Sequence, residues 1–250
     1  MELIQSPLLG VPHGFPTRAG GVSEGPFASL NCSPSVGDDP RAVQENLRRV
    51  AREAGVEAGA LLTVSQVHGD VVLRGGPAGG DEPRPVVGEA DGLWTDVKGT
   101  AVGVRTADCL PILLEDPVGR RVAAVHAGWR GVIADIASRA VALLAQAGSR
   151  PEDLRAVIGP CIQRCCFEVD GELPERFRAA FDDTVVVAVP GKEKRHIDLP
   201  RAVRLALLRA GLSDAHVGAL PHCTMCDARF FSHRRDRGHT GRHLSFIACR

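Results

Sequence analysis

The sequence predicts an α/β sandwich built on mixed sheets, and three features of the 250-residue chain lead there. Apolar residues recur with a period of 3.6 in four stretches, which marks four amphipathic helices. Between them lie about nine short β-rich runs, several apolar without alternation, as in strands covered on both faces. Helices and strands follow one another in mixed order, not as a clean βαβ repeat, and no G-x-G-x-x-G or P-loop string occurs, so a dinucleotide-binding fold is not indicated. The length allows one large domain or two small ones, either with a substantial core, and a single domain over residues 1–250 is expected. No internal repeat is visible. The most linker-like stretch, Gly75 to Pro85 (GGPAGGDEPRP), reads as a surface loop within that domain.

Taken in order, the first helix follows Asp39 as N-cap and Pro40 in its first turn, with Val43, Leu47, Val50 and Ala54 on one face. The second is expected from about Val132 to Ala147, with Ile133, Ile136, Ala140 and Leu144 inward and Gly148 as the stop. A shorter helix spans about Pro174 to Phe181. The last starts at Pro200, buries Val203 and Leu207, and ends at Gly211. Strands are expected at Leu61–Val67, Val71–Arg74, Ala101–Arg105, Ile112–Glu115, Val122–His126, Ala156–Ile158, Val185–Val189, His216–Leu220 and Ser245–Ala248.

Composition narrows the function classes. Thirty basic residues balance 30 acidic ones, and 44% of residues are hydrophobic. A neutral chain argues against a dedicated nucleic-acid or membrane-surface binder and leaves room for a local basic pocket; small-molecule substrates and a monomer or weak homo-oligomer are expected. The N-terminal MELIQSPLLGVPHGF lacks the basic and apolar regions of a signal peptide, and no apolar run approaches the roughly 20 residues that span a bilayer. A cytoplasmic location is therefore expected, with the 8 cysteines reduced and given to packing, metal binding or catalysis.

Three strings place a reactive residue directly after an apolar run: TVSQVHGD (Thr63–Asp70), VRTADCLPILLED (Val104–Asp116) and AAVHAGWRG (Ala123–Gly131). Strand ends are where a rigid scaffold meets accessible loops, and sites concentrate there. His68, Cys109 and His126 would form a good zinc set, two imidazoles and a thiolate, with a fourth position open for water or substrate. Asp70 and Asp108 lie near enough in sequence to support the ligands or accept a proton. Spacing alone specifies no zinc pattern, and a buried cysteine or a hydrogen-bonded core histidine is the ordinary fate of such residues.

These strings do not stand alone. With TRAGGVSEGPFASLN (Thr17–Asn31), VGDDP (Val36–Pro40), EADGLWT (Glu89–Thr95), IGPCIQRCCFEV (Ile158–Val169) and FFSHRRDRGHTGRHLSFI (Phe230–Ile247), the chain resembles the YfiH/LACC1 family from about residue 13 to 248. That family was once labelled multicopper polyphenol oxidase or laccase, and its bacterial members are also called peptidoglycan editing factor. The resemblance implies a single-domain α/β/β/α sandwich and a zinc site at His68, Cys109 and His126. It also implies phosphorolysis of purine nucleosides and methylthioadenosine, with hydrolytic deamination of adenosine. Arg18 would then hold phosphate or substrate. Trp129, beside the third ligand, reads equally as a stacking face for a purine or as core, and Asp108 is the candidate acid for the leaving base. Asn31, Gln66, Arg130, Arg235 and Arg242, in or beside the same strings, complete the expected substrate contacts. Arg234 belongs to the same basic cluster as Arg235 and Arg242. Two positions depart from the family pattern: Leu47 follows Asn46 where an arginine is usual, and His233 replaces the tyrosine of a serine-tyrosine-arginine string.

Rival readings can be weighed on the same residues. A multicopper oxidase needs about ten histidines, with His-x-His pairs; this chain has 9 histidines and no His-x-His. One copper ion in place of zinc at the triad remains sound chemistry, because copper outranks zinc for such ligands. A metal-free thiol hydrolase would use Cys109 as nucleophile and a histidine as its base. A peptidoglycan-precursor editing or binding role remains a third alternative. The deaminase signature H-x-E with P-C-x-x-C fails, since no H-x-E occurs. Finally, Cys223 and Cys226 form one C-x-x-C unit that Cys165 and Cys166 could complete to four ligands. A structural zinc site normally shows two such units, so packing is the expectation for these cysteines.

Overall fold

In the computed structural model, which describes residues 1–83 and 86–250, eleven of fourteen strands form two stacked sheets, the other three form a small separate sheet, and five α-helices lie outside. The elements, in chain order, are β1 (Leu3–Ile4), β2 (His13–Pro16), α1 (Pro40–Ala54), β3 (Leu61–Leu62), β4 (Val72–Arg74), β5 (Gly92–Thr95) and β6 (Ala101–Thr106). They continue with β7 (Leu110–Asp116), β8 (Arg121–Ala127), α2 (Trp129–Ile133), α3 (Ile136–Gln146), β9 (Arg155–Ile158) and β10 (Glu168–Val169). The remainder are α4 (Leu173–Ala180), β11 (Val186–Ala188), β12 (Arg195–Ile197), α5 (Leu199–Arg209), β13 (Val217–Ala219) and β14 (His243–Ala248).

One sheet has five strands in the order β1-β2-β14-β6-β3; the other has six, β13-β9-β7-β8-β5-β4. Both are mixed: β3 runs parallel to β6, and β4 to β5, while β7 and β8 form an antiparallel hairpin. Leu93, Val102, Val104, Leu113, Ala124 and Ile247 fill the space between the sheets. The other face of the six-stranded sheet, Ile112, Leu114 and Val125, meets Ile136, Ala140 and Leu144 of α3 and Val203 and Leu207 of α5. Leu244 and Phe246 on the outer face of the five-stranded sheet pack on Val50 and Ala51 of α1. The layers are therefore α/β/β/α. Because β7 is buried on both faces, its sequence shows no alternation, and each such leucine contributes about 1.5–3 kcal/mol.

Local chemistry sets the helix limits. The Asp39 carboxylate accepts from Arg41 N at 3.0 Å, Pro40 opens α1, and Gly55 closes it at φ 71°. Leu47 is partly buried against the α1 core. The expected helix over Val132–Ala147 is instead two. Asp135 adopts φ 61° between α2 and α3, and its carboxylate caps Ser138 N at 3.4 Å. Aspartate tolerates the left-handed region and is a strong N-cap, so this residue both breaks and restarts the helix.

The run expected as one strand from Leu61 to Val67 pairs in β3 only over two residues. It then leaves the five-stranded sheet, and Ser65 bridges Glu89 on the approach to β5. The strands absent from the sequence reading (β1, β2, β5, β10 and β12) are two to four residues long, too short for a period-2 pattern to register. The loop expected from Gly75 to Pro85 carries no helix or strand through residue 83; Arg84 and Pro85 lie outside the described residues. Among the described residues, no helix is long and apolar enough to cross a membrane.

Candidate metal centre and its cleft

The three candidate ligands converge where the chain passes between the two sheets. Cys109 sits in the connection from β6, in one sheet, to β7, in the other. His126 is the penultimate residue of β8, and the hairpin register sets it opposite Pro111, two residues from Cys109. His68 occupies the turn that follows the Ser65–Glu89 bridge, in a left-handed conformation of φ 59°. One ligand atom from each residue lies within 4.8 Å of those of the other two, and Cys109 Sγ is 4.0 Å from His68 Nε2. Tetrahedral zinc with bonds of about 2.0–2.3 Å separates N and S ligands by about 3.6 Å. A small contraction would therefore close the set. Gly128 supplies the room: a Cβ there would lie 3.1 Å from His68 Cδ2, 3.4 Å from Cys109 Sγ and 3.6 Å from His126 Cε1.

Asp91 holds this arrangement together. Its carboxylate is fully buried and accepts His126 Nδ1 at 2.7 Å, His68 N at 3.0 Å, Gly69 N at 2.6 Å and Val67 N at 3.2 Å. One side chain thus fixes the His126 ring, leaving Nε2 as its free nitrogen, and shapes the turn that presents His68. Burial pushes the Asp91 carboxyl up, but these donors outweigh it and hold its pKa below the usual value. Burial likewise raises the Cys109 thiol, yet His126 and His68 bring it down to about 6. His126 is pushed down by burial, and Cys109 and Asp91 raise it to about 9. These shifts favour a thiolate at Cys109, and binding a metal would displace any proton on His126 Nε2. The mixed N/S donor set suits zinc or copper.

Asp108, also in a left-handed conformation at φ 84°, is buried and takes three hydrogen bonds. Its oxygens accept Thr224 Oγ1 at 2.6 Å, Ser232 Oγ at 3.0 Å and Arg234 N at 2.6 Å. It ties the Cys109 turn to the segment before β14. Asp70 does not support the ligands; it pairs with Arg139 at 2.8 Å on the surface, and the supporting carboxylate is Asp91.

A cleft of about 620 Å³ opens onto the triad, within the range of small-molecule sites. Val64, Val86, Ile162, Phe167, Leu199 and Trp129 give it apolar walls. Ser33, Ser35, Gln66, Arg105, His233, Arg234 and Arg242 give it polar ones. Among the expected contacts, Asp108, Gln66, Trp129 and Arg242 line it. The Gln66 amide is spent on the Arg105 backbone through two 2.7 Å bonds. Trp129 is flanked by the guanidinium groups of Arg130 at 4.4 Å and Arg176 at 5.4 Å.

Four expected contacts lie outside the cleft lining. Arg18 Nε donates to Ala28 O at 2.6 Å and its guanidinium covers the Phe231 ring. Asn31, fully buried, holds Ser33 and Arg242 N and so shapes the wall without reaching the lumen. Arg130 is exposed beyond Trp129. Arg235 is consumed by Asp236 and by the carbonyls of Thr224 and Phe230. Arg105, His233 and Asp91 were not picked out as contacts. His233, at the position that departs from the family pattern, stands 3.4 Å from Arg242.

The chain is similar to known proteins along nearly its whole length. Residues 12–250 match the family described as multi-copper polyphenol oxidoreductase laccase. A Deinococcus radiodurans protein named purine nucleoside phosphorylase is 40% identical over 99% of this chain and 92% of its own length. The purine nucleoside phosphorylase YlmD of Geobacillus stearothermophilus is 37% identical over 98% of this chain and 92% of its own. Among solved structures, YfiH of Bacillus licheniformis superposes with a TM-score of 0.87 at 33% identity, covering 95% of this chain and 92% of that one. YlmD of Geobacillus stearothermophilus gives 0.86 at 36% identity, over 98% and 94%. With a match that runs from before β2 to beyond β14 and a shared fold, the chain belongs to the YfiH family, the laccase-like polyphenol oxidoreductases of the family description.

Proposed function

We propose that this chain is a metal-dependent purine nucleoside phosphorylase, with residues 1–250 acting as one catalytic domain. Its substrates would be adenosine, inosine, guanosine and methylthioadenosine, with adenosine deamination as a second activity. The observation that carries the reading is a thiolate–imidazole triad at the floor of a cleft with both apolar walls and cationic groups. The names of the 37–40% identical relatives support it.

His68, Cys109 and His126 would hold zinc, or copper at the same three ligands. When bound, the metal would supply Lewis acidity toward a substrate or water oxygen. The protein's own groups do the rest. Trp129 and Phe167 offer faces for the purine, and Arg242, Arg234 and His233 would hold the phosphate dianion. A phosphate oxygen so placed bonds to ribose C1′ as the C1′–N9 bond breaks, and the base leaves with that electron pair and takes up a proton from solvent in the open cleft. Asp108 was the expected donor of that proton. With three hydrogen bonds on its oxygens, we assign it instead to positioning Cys109.

The test is metal content and turnover of adenosine and inosine, with and without phosphate, in wild type and Cys109→Ala. Phosphate-dependent base release, lost with the metal in the variant, is expected. Undiminished turnover by metal-free Cys109→Ala would refute it. One observation favours a second reading. The Cys109 thiol, held at about 6 beside His126, is a ready nucleophile; a thiol hydrolase would stay active after metal is stripped, whereas the phosphorylase would not. The laccase label lacks its metal cluster: among the described residues, the two groups able to hold a metal are this triad and four cysteines.

A further inference from the structure

The second group is Cys165, Cys166, Cys223 and Cys226. Packing was the expectation for them, yet Cys165 and Cys226 are exposed and the other two half-buried. Thiols that merely fill a core are inside it. The four Sγ atoms lie within 4.8 Å of one another, with Cys165–Cys226 at 3.7 Å and Cys166–Cys226 at 3.2 Å. Tetrahedral zinc with bonds of about 2.3 Å separates its sulfurs by about 3.8 Å.

The backbone is organised for thiolates as well. Cys161 and Cys223 form a parallel bridge, with Cys161 N donating to His222 O and Thr224 N to Cys161 O. From this stitch two turns carry the cysteines toward each other, one at residues 164–166 and one at residues 224–226. Gln163 N donates to Cys223 Sγ at 3.4 Å, a contact that a charged sulfur would strengthen.

We propose that Cys165, Cys166, Cys223 and Cys226 bind a second, structural zinc ion, in a closed four-thiolate site that leaves no position for substrate. Binding releases the thiol protons to solvent and leaves the metal redox-inert. The ion would staple the two turns together. Thr224, between two of its ligands, donates to Asp108, the neighbour of Cys109, so the staple underpins the catalytic turn without touching the cleft.

The test is zinc content of reduced, full-length protein as wild type, Cys109→Ala and the Cys223→Ser/Cys226→Ser double variant. Two ions per chain are expected in wild type and one in each variant. Because the double variant could fail to fold, cobalt is added to stripped Cys109→Ala, whose triad is disabled. An absorption spectrum of four thiolates around tetrahedral cobalt is expected there, whatever becomes of the nucleoside activity. Cys109→Ala that binds neither zinc nor cobalt would overturn the proposal. So would a peptide mass showing Cys166 and Cys226 joined in a disulfide in wild type purified under reductant.

Discussion

Asp91→Asn isolates the residue on which the triad geometry depends. The substitution keeps shape and removes charge and one acceptor. If the amide oxygen stays with His126 and His68 N, its NH2 faces Gly69 N and Val67 N, which Asp91 Oδ2 accepts at 2.6 and 3.2 Å. Two part-buried donors then meet a donor, and with about 1–3 kcal/mol each as the cost at full burial, a loss of up to about 2–6 kcal/mol is expected. The turn that presents His68 loosens as well, and metal affinity should fall about 10–100-fold, as for other groups that orient a ligating histidine. Urea unfolding of chelator-treated wild type and variant measures the first effect, and zinc competition titration the second. A stability change below about 1 kcal/mol together with unchanged zinc affinity would refute the assignment of Asp91 as the organiser of the site.

The remaining predictions use other parts of the molecule. Gly128→Ala suits the backbone at φ −68° and ψ 165° but sets a methyl against all three ligands; melting should change little while metal affinity drops about tenfold. Trp129→Ala should raise nucleoside KM by the equivalent of about 1–3 kcal/mol of stacking, with Trp129→Phe recovering most of it. Arg242→Met should raise KM for phosphate, whereas Arg130→Met, outside the cleft, should not; equal effects would remove Arg242 from the phosphate site. Burial pushes the His243 imidazole from 6.5 down to about 3, and its Nε2 accepts Phe231 N at 2.7 Å, which only the neutral ring can do. The unfolded chain therefore binds the extra proton between those values. Stability is full above pH 6.5 and falls as pH drops toward 3. His243→Gln should flatten that acid slope in urea melts, and an unchanged slope would show that His243 is not its source.

The triad and the layer order were legible because each ligand follows an apolar strand inside a distinctive string. Asp91 lay in EADGLWT in plain view. Nothing in that string says that its carboxylate turns back to the 67–69 backbone, a contact set by the pairing of β5 with β8. The arginines were harder still. Arg18, Arg235 and Arg242 look alike in sequence, and carbonyls and rings elsewhere in the fold decide which reach the cleft: Ala28 and Phe231 take Arg18, and Thr224 and Phe230 take Arg235. Arg105 was missed because it reads as one polar residue inside β6. Its guanidinium is largely buried on Cys32 O and Thr63 Oγ1. The four cysteines were discounted for lack of a second C-x-x-C, but the stitch between Cys161 and Cys223 supplies by tertiary contact what the spacing does not.

The position of β14 sets a timetable for the molecule. It is the latest strand in chain order, yet it lies between β2 and β6, which have no pairing with each other. While a ribosome is still making the chain, β1 and β2 have no place in the sheet, and the loop carrying Asn31 lacks Arg242 to hold. Cys109 can meet His126 early, through the β7–β8 hairpin. The cleft above them waits for the last segment, so a nascent or prematurely ended chain would carry the metal ligands without a place to bind substrate.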